Sequence, residues 1–440
     1  MKKRWLGLVW PLCLSACTSM PPQAVPLCAS AAAAEPEPWW RGFDDPALLG
    51  LLDEARRCNV RLAQLRLQAD RWRLQLDMPD WHPSGGLAVD VSRPLDGGAA
   101  QRNHAVDLRV KYELDLWGRV ARGKEAEAWL ARAGELDWRA LRLSTSAEVA
   151  IRYWQWSALW REALLAEQAV MLQISLLRLH EQAQAQGALA DREVRRTRLA
   201  LNDAYEWLST LTRERDWAAN RLAELLERDT IDDLPWPVAL PERVPELASE
   251  LAAEGLMRRP DIAAAAARVA RLLALYDQAR LNPLPRIGLS GRLGAANSML
   301  TELWGGTLAV GAIGLELPFL DWRRLGVARE QARLEWEAET LAYRHTVKQA
   351  LRETDDALRR HRQAREDLRR TDDSLDLARR SEHDAQLAYA TGVSGREPWL
   401  QAQIARLQLE TARVRQLQAR ASSLVLLYKA LGGVPVDEAG

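Results

Sequence analysis

At 440 residues the chain can hold two or three ordinary domains or one elongated one. It carries 60 basic and 60 acidic side chains, so its formal net charge is zero and nothing calls for nucleic acid as a partner. Beyond the N-terminus no charge-free apolar run approaches the roughly 20 residues of a spanning helix, which excludes an α-helical membrane protein but leaves a β-barrel open.

Lys2, Lys3 and Arg4 followed by the apolar run Trp5–Leu14 read as a signal peptide over residues 1–16. It ends in Leu14-Ser15-Ala16-Cys17, which resembles the bacterial lipobox. That resemblance makes Cys17 the acylated first residue of the mature chain, and Thr18 after it resembles sorting to the outer membrane. Several acyl chains anchor firmly where one is marginal. Residues 17–38 are Pro/Ala-rich and read as a linker leaving the lipid. Cys28 and Cys58 remain in a compartment that permits a disulfide. The alternative is two unpaired thiols, with Cys58 packed in a helix. No CxxC or His/Cys cluster is present, so neither a metal nor another cofactor is expected.

Trp39-Trp40-Arg41-Gly42-Phe43-Asp44-Asp45-Pro46 opens a helix, with Asp45 as its cap and Pro46 at its first position. A second helical pattern runs from about Arg61 to Leu76 and stops before Pro79 and Pro83. Leu87, Val89 and Val91 then alternate with Ala88, Asp90 and Ser92, a first strand, and Gly97-Gly98 marks a loop. In the next strand Val106, Leu108, Val110, Tyr112, Leu114 and Leu116 take one side, and Asp107, Arg109, Lys111, Glu113 and Asp115 the other. An apolar face backed by an almost wholly charged one suits a transmembrane barrel strand, with lipid outside and a wet lumen inside.

At Trp117-Gly118 the period changes, and helical pattern continues to Gln186, about 100 Å at 1.5 Å per residue. Gly187-Ala188-Leu189-Ala190-Asp191 breaks it, and a second long helix returns from about Arg192 to Arg228. Residues 229–245, with Leu234-Pro235-Trp236-Pro237, form a Pro-rich linker. The plan then repeats. Asn59-Val60-Arg61-Leu62 recurs as Arg259-Pro260-Asp261-Ile262, Tyr112-Glu113-Leu114 as Leu315-Glu316-Leu317, and Gly187 as Gly392.

The chain therefore divides into a first unit over 39–228, with β-hairpin 85–117 and helical hairpin 118–228, and a second over 246–433. In the second unit the β-hairpin is 285–318, with strands Arg286–Leu293 and Thr307–Leu317, and the helical hairpin is 322–431. Residues 434–440 form a tail. The fold class is mainly α with a transmembrane β part. Two hairpins supply four strands, whereas the smallest membrane barrels have eight. Open sheet edges in lipid cost several kcal/mol per unpaired group, so other copies must complete the barrel.

Trp39–Pro46, Tyr112–Val120, Met257–Ala267, Leu317–Leu325 and Leu426–Gly433 together closely resemble the TolC-like outer-membrane efflux protein family, particularly its lipoprotein branch. The resemblance implies a homotrimer: a 12-stranded barrel in the outer membrane, continued by a helical barrel across the periplasm. It implies a passive exit duct in a tripartite efflux system exporting small molecules. A periplasmic adaptor protein and an inner-membrane pump, of resistance-nodulation-division rather than ABC type, would be its partners. In the family the tip turns contact the adaptor, and here they match Gly187-Ala188-Leu189 and Gly392-Val393-Ser394; the glycines also fit plain helix C-caps. Family members carry aspartates just beyond each turn. The first tip keeps an acid in Glu193-Val194, but the second reads Pro398-Trp399-Leu400-Gln401-Ala402-Gln403 and has none. A ring of Glu193 side chains, held by Arg192 or Arg195, could gate the periplasmic mouth and favour cations. Equally, Glu193 could only complement a helix N-terminus.

Trp117 and Trp322 occupy corresponding junctions and fit an interfacial girdle. Helical tryptophans such as Trp154, Trp156, Trp207 and Trp217 are expected to pack between helices. The charged run Arg352–Arg380 interleaves its signs, as on a solvated helix face. His104, His180, His345, His361 and His383 lack ligand spacing, and no nucleophile motif or phosphate loop appears, so an enzyme is not expected. Type I protein secretion and heavy-metal efflux stay open as alternatives. So does a lipid-anchored periplasmic scaffold without a pore, although it would leave four amphipathic strands unexplained.

Overall fold

The computed structural model describes residues 28, 38–76, 84–92, 103–230, 234, 240–245, 258–297 and 307–433. The signal peptide, Cys17, the centre of the Pro-rich linker and the C-terminal tail lie outside the described residues. Eleven elements carry the fold. In chain order they are α1 (Pro46–Cys58), α2 (Val60–Leu76), β1 (Ser84–Ser92), β2 (Asn103–Leu114), α3 (Arg119–Ala185) and α4 (Asp191–Leu225). The second unit supplies α5 (Pro260–Leu281), β3 (Arg286–Asn297), β4 (Thr307–Glu316), α6 (Trp322–Ala390) and α7 (Arg396–Ala430).

Helix α1 starts where its residues demand. The Asp45 carboxylate accepts from the Leu48 amide at 3.0 Å, and Pro46, which has no amide to satisfy, fills the first turn. Asn59 ends α1 and begins α2: its amide donates to Ala55 O at 3.0 Å, and its Oδ1 accepts from Leu62 N at 3.1 Å. Cys28 is disulfide-bonded to Cys58 at the end of α1, with their Cα atoms 4.2 Å apart.

The four strands form one antiparallel sheet in the order β1-β2-β3-β4. Both hairpins thus join side by side through β2 and β3, and β1 and β4 are left as edges. The second hairpin is longer than the alternation suggested, since β3 continues to Asn297. The glycines that dilute its pattern face each other, Gly291 opposite Gly311 and Gly288 opposite Gly314.

The long helices form a single layer. Helix α6 packs on α7, α7 on α3 and α3 on α4, while α2 and α5 lie along the sheet-proximal part of α3 and α5 also packs on α6. The main core sits midway along this layer. There Trp40, Phe43, Leu48 and Leu52 pack against Tyr153, Trp154, Leu222, Leu424 and Val425. The Phe43 and Trp154 rings lie 4.8 Å apart. Near the sheet the packing thins to a small, alanine-rich cluster, Ala133 and Leu136 against Ala264 and Ala267. Of the helical tryptophans, Trp154 and Trp156 are buried, but Trp207 and Trp217 on α4 are exposed. Both stand on an end member of the layer, which packs on α3, and Trp207 also meets α7, whose Arg415 stacks over its ring at 5.1 Å. No described helix is long and apolar enough to cross a membrane.

Candidate functional site

The sheet has two unlike faces. Residues opposite one another in an antiparallel pair share a face. Leu108 lies opposite Leu293, Tyr112 opposite Leu289 and Leu114 opposite Ile287, and on the next strand Ile287 meets Leu315 and Leu289 meets Ile313. One face is therefore apolar from β2 to β4. Leu108, Leu289, Leu293, Ile313 and Leu315 of this face are exposed. Leu315 and Ile313 settle the facing of the weakly patterned last strand.

The other face carries charge. Asp107, Arg109, Lys111 and Glu113 of β2 share it with Ser290 and Arg292 of β3, as Arg109 opposite Arg292 shows. Asp107 is the focus: Arg292 Nε donates to its Oδ1 at 2.8 Å and Nη2 to its Oδ2 at 2.6 Å, and Arg109 Nη2 reaches Oδ2 at 3.3 Å. One carboxylate thus holds two guanidinium groups that repel each other. Gly294, directly across from Asp107, leaves the room this requires, because a Cβ there would meet Asp107 Oδ1 at 2.5 Å.

Asp115 corrects the expectation that it lines the wall. Strand β2 ends at Leu114, and Asp115 turns to the start of α3 instead. Its Oδ1 accepts from Val120 N at 3.0 Å and its Oδ2 from Ala121 N at 2.8 Å. A carboxylate five residues before free helix amides gains both hydrogen bonds and the dipole. Glu113 is clamped at the same junction by Arg119, whose Nη2 donates to Oε1 at 2.8 Å and Oε2 at 2.9 Å and whose Nε donates to Oε1 at 3.3 Å. Trp117 Nε1 donates to Pro285 O at 2.7 Å and so ties the first strand-to-helix passage to the entry of β3. Trp322, its counterpart, is exposed with Arg323 stacked over its ring.

At the far end both helical hairpins turn on a left-handed glycine, Gly187 at φ 73° and Gly392 at φ 75°. That conformation costs an L side chain but not glycine. Ala188 N closes the first turn onto Ala183 O at 2.8 Å, and Ser394 N the second onto Ala388 O at 3.1 Å. Val393 is 82% exposed. The two turns lie at the same end, since His180 of α3 has Nε2 3.2 Å from Glu397 Oε1 of α7. The other ring nitrogen of His180 is 2.7 Å from Thr197 Oγ1 of α4. His180 therefore links three helices at the mouth. Nothing in its sequence neighbourhood signals that, because Thr197 and Glu397 lie on other helices.

Glu193 pairs with Arg192 at 3.0 Å and more loosely with Arg196 at 4.0 Å. Arg195, the other partner expected for it, is instead paired with Asp191. Residues 191 and 195 are one helical turn apart, so the nearer acid takes it. Four arginines (Arg192, Arg195, Arg196 and Arg198) crowd this turn against three acids, so Glu193 is not a bare anion. Among the described residues there is no metal-binding cluster of His, Cys, Asp or Glu.

The sequence matches the family described as outer membrane efflux protein over residues 52–227 and 251–433. It is 26% identical over 427 residues to the pyoverdine export outer membrane protein OpmQ of Pseudomonas putida, covering 93% of this chain and 90% of OpmQ. With outer membrane protein OprJ of Pseudomonas aeruginosa it shares 29% identity over 410 residues, 90% of this chain and 86% of OprJ. The solved open state of the Neisseria gonorrhoeae MtrE outer membrane channel has TM-score 0.75 and 28% identity, covering 88% of this chain and 89% of MtrE.

Proposed function

This chain belongs to the outer membrane efflux protein family, and we propose that its sheet edges and its helix-layer edges are the two halves of one subunit seam. The protein is a channel and not an enzyme: the outer-membrane component of an efflux system, working with a periplasmic adaptor and an inner-membrane pump and forming trimers. The observation that carries the seam is that the chain is left open in the same way at both ends. Among the described residues β1 and β4 each lack one strand neighbour, and α4 and α6 are the outer members of the helix layer. Pairing β4 with the next copy's β1, and α4 with the next copy's α6, closes both layers with one rotation. Three chains of four strands give twelve.

Helices α4 and α6 run antiparallel from the tip, so Tyr205 of one copy comes level with Leu377 of the next; both are exposed within the chain. Leu377→Glu is expected to shift detergent-purified trimer towards monomer on size exclusion with light scattering, and to abolish single-channel conductance in planar bilayers. A fully trimeric, conducting variant would refute this seam.

The finer assignments follow from the same arrangement. Acylation of Cys17 anchors the chain, and Cys17→Ser is expected to end palmitate incorporation. The adaptor docks on Gly187-Ala188-Leu189 and Gly392-Val393-Ser394, because these turns are the end-on surface of the tube. Glu193 gates as part of a mixed-charge ring with Arg192 and Arg196. The pump is of the resistance-nodulation-division type and the cargo a small molecule; the name of OpmQ, a pyoverdine export protein, supports the cargo class alone. Export of a polypeptide by deletion-sensitive secretion would argue instead for an ABC partner.

A further inference from the structure

Where linker residues 240–245 cross α6 and α7, a cavity of about 570 Å³ opens between the linker and the two helices. This lies within the size range of small-ligand sites. It stands apart from the strands, the junction and the tips.

The charges around it do not balance locally. Its acids already have partners: Glu242 Oε1 takes Arg413 Nη1 at 3.2 Å, Asp372 Oδ1 takes Arg413 Nε at 2.7 Å, and Asp373 pairs with Arg369 at 3.7 Å. Arg365, exposed at the rim, has no ion pair among the described residues. Arg420 spends its Nη2 on neutral carbonyls, Pro241 O at 2.9 Å and Glu242 O at 2.8 Å. Its Nε is buried with no partner among the described residues. Burial, helped by Arg413 and Arg365 and only partly opposed by Asp372 and Glu242, pulls the Arg420 guanidinium below its ordinary range. His361, whose Nδ1 lies 3.1 Å from Ser423 Oγ, adds no charge. Burial and the fields of Arg365 and Arg420 hold it down to about 4.

The acids of the lining are taken up by Arg413 and Arg369, so the buried Nε of Arg420 and the unpaired charge of Arg365 are a costly arrangement that a bound anion relieves. The planar fork of arginine matches the oxygens of phosphate and carboxylate. We propose that this cavity binds a small oxyanion, a phosphate or carboxylate group held between Arg365 and Arg420. Such a ligand would brace the linker against α6 and α7 at mid-height of the duct. The site is independent of the conduction pathway, so its failure leaves the channel reading intact.

The test is calorimetric titration of purified wild-type trimer, in low-salt chloride buffer, with sodium phosphate and separately with sodium succinate. Saturable binding of one anion per protomer is expected for at least one of them, and the tighter one identifies the headgroup chemistry. Arg365→Gln, a rim substitution that leaves the fold alone, is expected to weaken that binding about tenfold, and Arg365→Lys to restore part of it. No saturable binding of either anion to wild type, or equal binding to Arg365→Gln, overturns the proposal.

Discussion

Asn59 and Arg259, equivalent positions in the two repeats, each tie a short helix to the end of the long return helix of their own unit. Asn59 Nδ2 donates to Leu225 O at 3.2 Å, and Arg259 Nη1 donates to Ala430 O at 3.2 Å. Leu225 and Ala430 are the last residues of α4 and α7, whose terminal carbonyls have no helical amide to accept from. One position thus solves the same problem twice, with a neutral amide in one unit and a buried cation in the other.

The cation brings a network. Arg259 also holds Asp261 at 2.7 Å and Glu353 at 2.8 Å, and so joins α5, α6 and α7. Arg259→Gln is expected to destabilise the trimer by roughly 1–3 kcal/mol, discounted because both acids are partly exposed. Burial pulls the Asp261 carboxyl up, and Arg259 more than offsets this, leaving it below its ordinary value of 3.8. Its share of stability is therefore present above that value and lost as the pH falls through the lowered one. Thermal melts below about pH 4 check this: the acid-side loss in this region is expected to be smaller in Arg259→Gln than in wild type.

His361 also loses stability towards acid, but because burial disfavours its charged form. It is buried, and its folded-state value of about 4 lies below the 6.5 of an ordinary histidine. The folded chain then binds fewer protons than the unfolded one between these values. Stability is full above pH 6.5 and declines towards pH 4, by about 3 kcal/mol for this group. His361→Gln is expected to flatten the melting temperature between pH 6.5 and 4.5; an unchanged slope would count against it.

Asp107 restrains Arg109 and Arg292 on the charged face of the sheet. Asp107→Asn frees both cations without altering side-chain volume. Reversal potentials in asymmetric salt should move towards anion preference, with the trimer intact. A shift towards cations, or none, would show that this face does not line the pore.

Gly134 of α3 lies beneath the ring of Trp72 on α2, and a Cβ there would overlap it. Gly134→Val is expected to cost about 1–3 kcal/mol by overpacking. Trp72→Ala in the same chain should recover part of the lost melting temperature.

The Cys28–Cys58 bond closes a separation of 30 residues. Intact mass with and without reductant should differ by two hydrogens. Cys58→Ser is expected to cost about 3.6 kcal/mol if loop entropy governs the effect, and a melt that ignores reductant would remove the bond from consideration.

Much of this protein is local, and local features are legible from residues alone. The cap at Asp45 followed by Pro46, the alternation from Val106 to Leu114, and the turns at Gly187 and Gly392 all follow from backbone geometry acting within a few residues. The repeat follows from comparing such signals across the chain. Tertiary structure decided what each charged side chain meets. Asp115 reads as one more alternating position, yet the strand ends one residue earlier and free amides of α3 claim it. Arg292 meets Asp107 only because β2 and β3 pair in one register, and His180 meets Glu397 only because α3 lies beside α7. Period records which way a side chain points from its own backbone; its partner depends on how elements far apart in sequence dock, and no short stretch of residues encodes that.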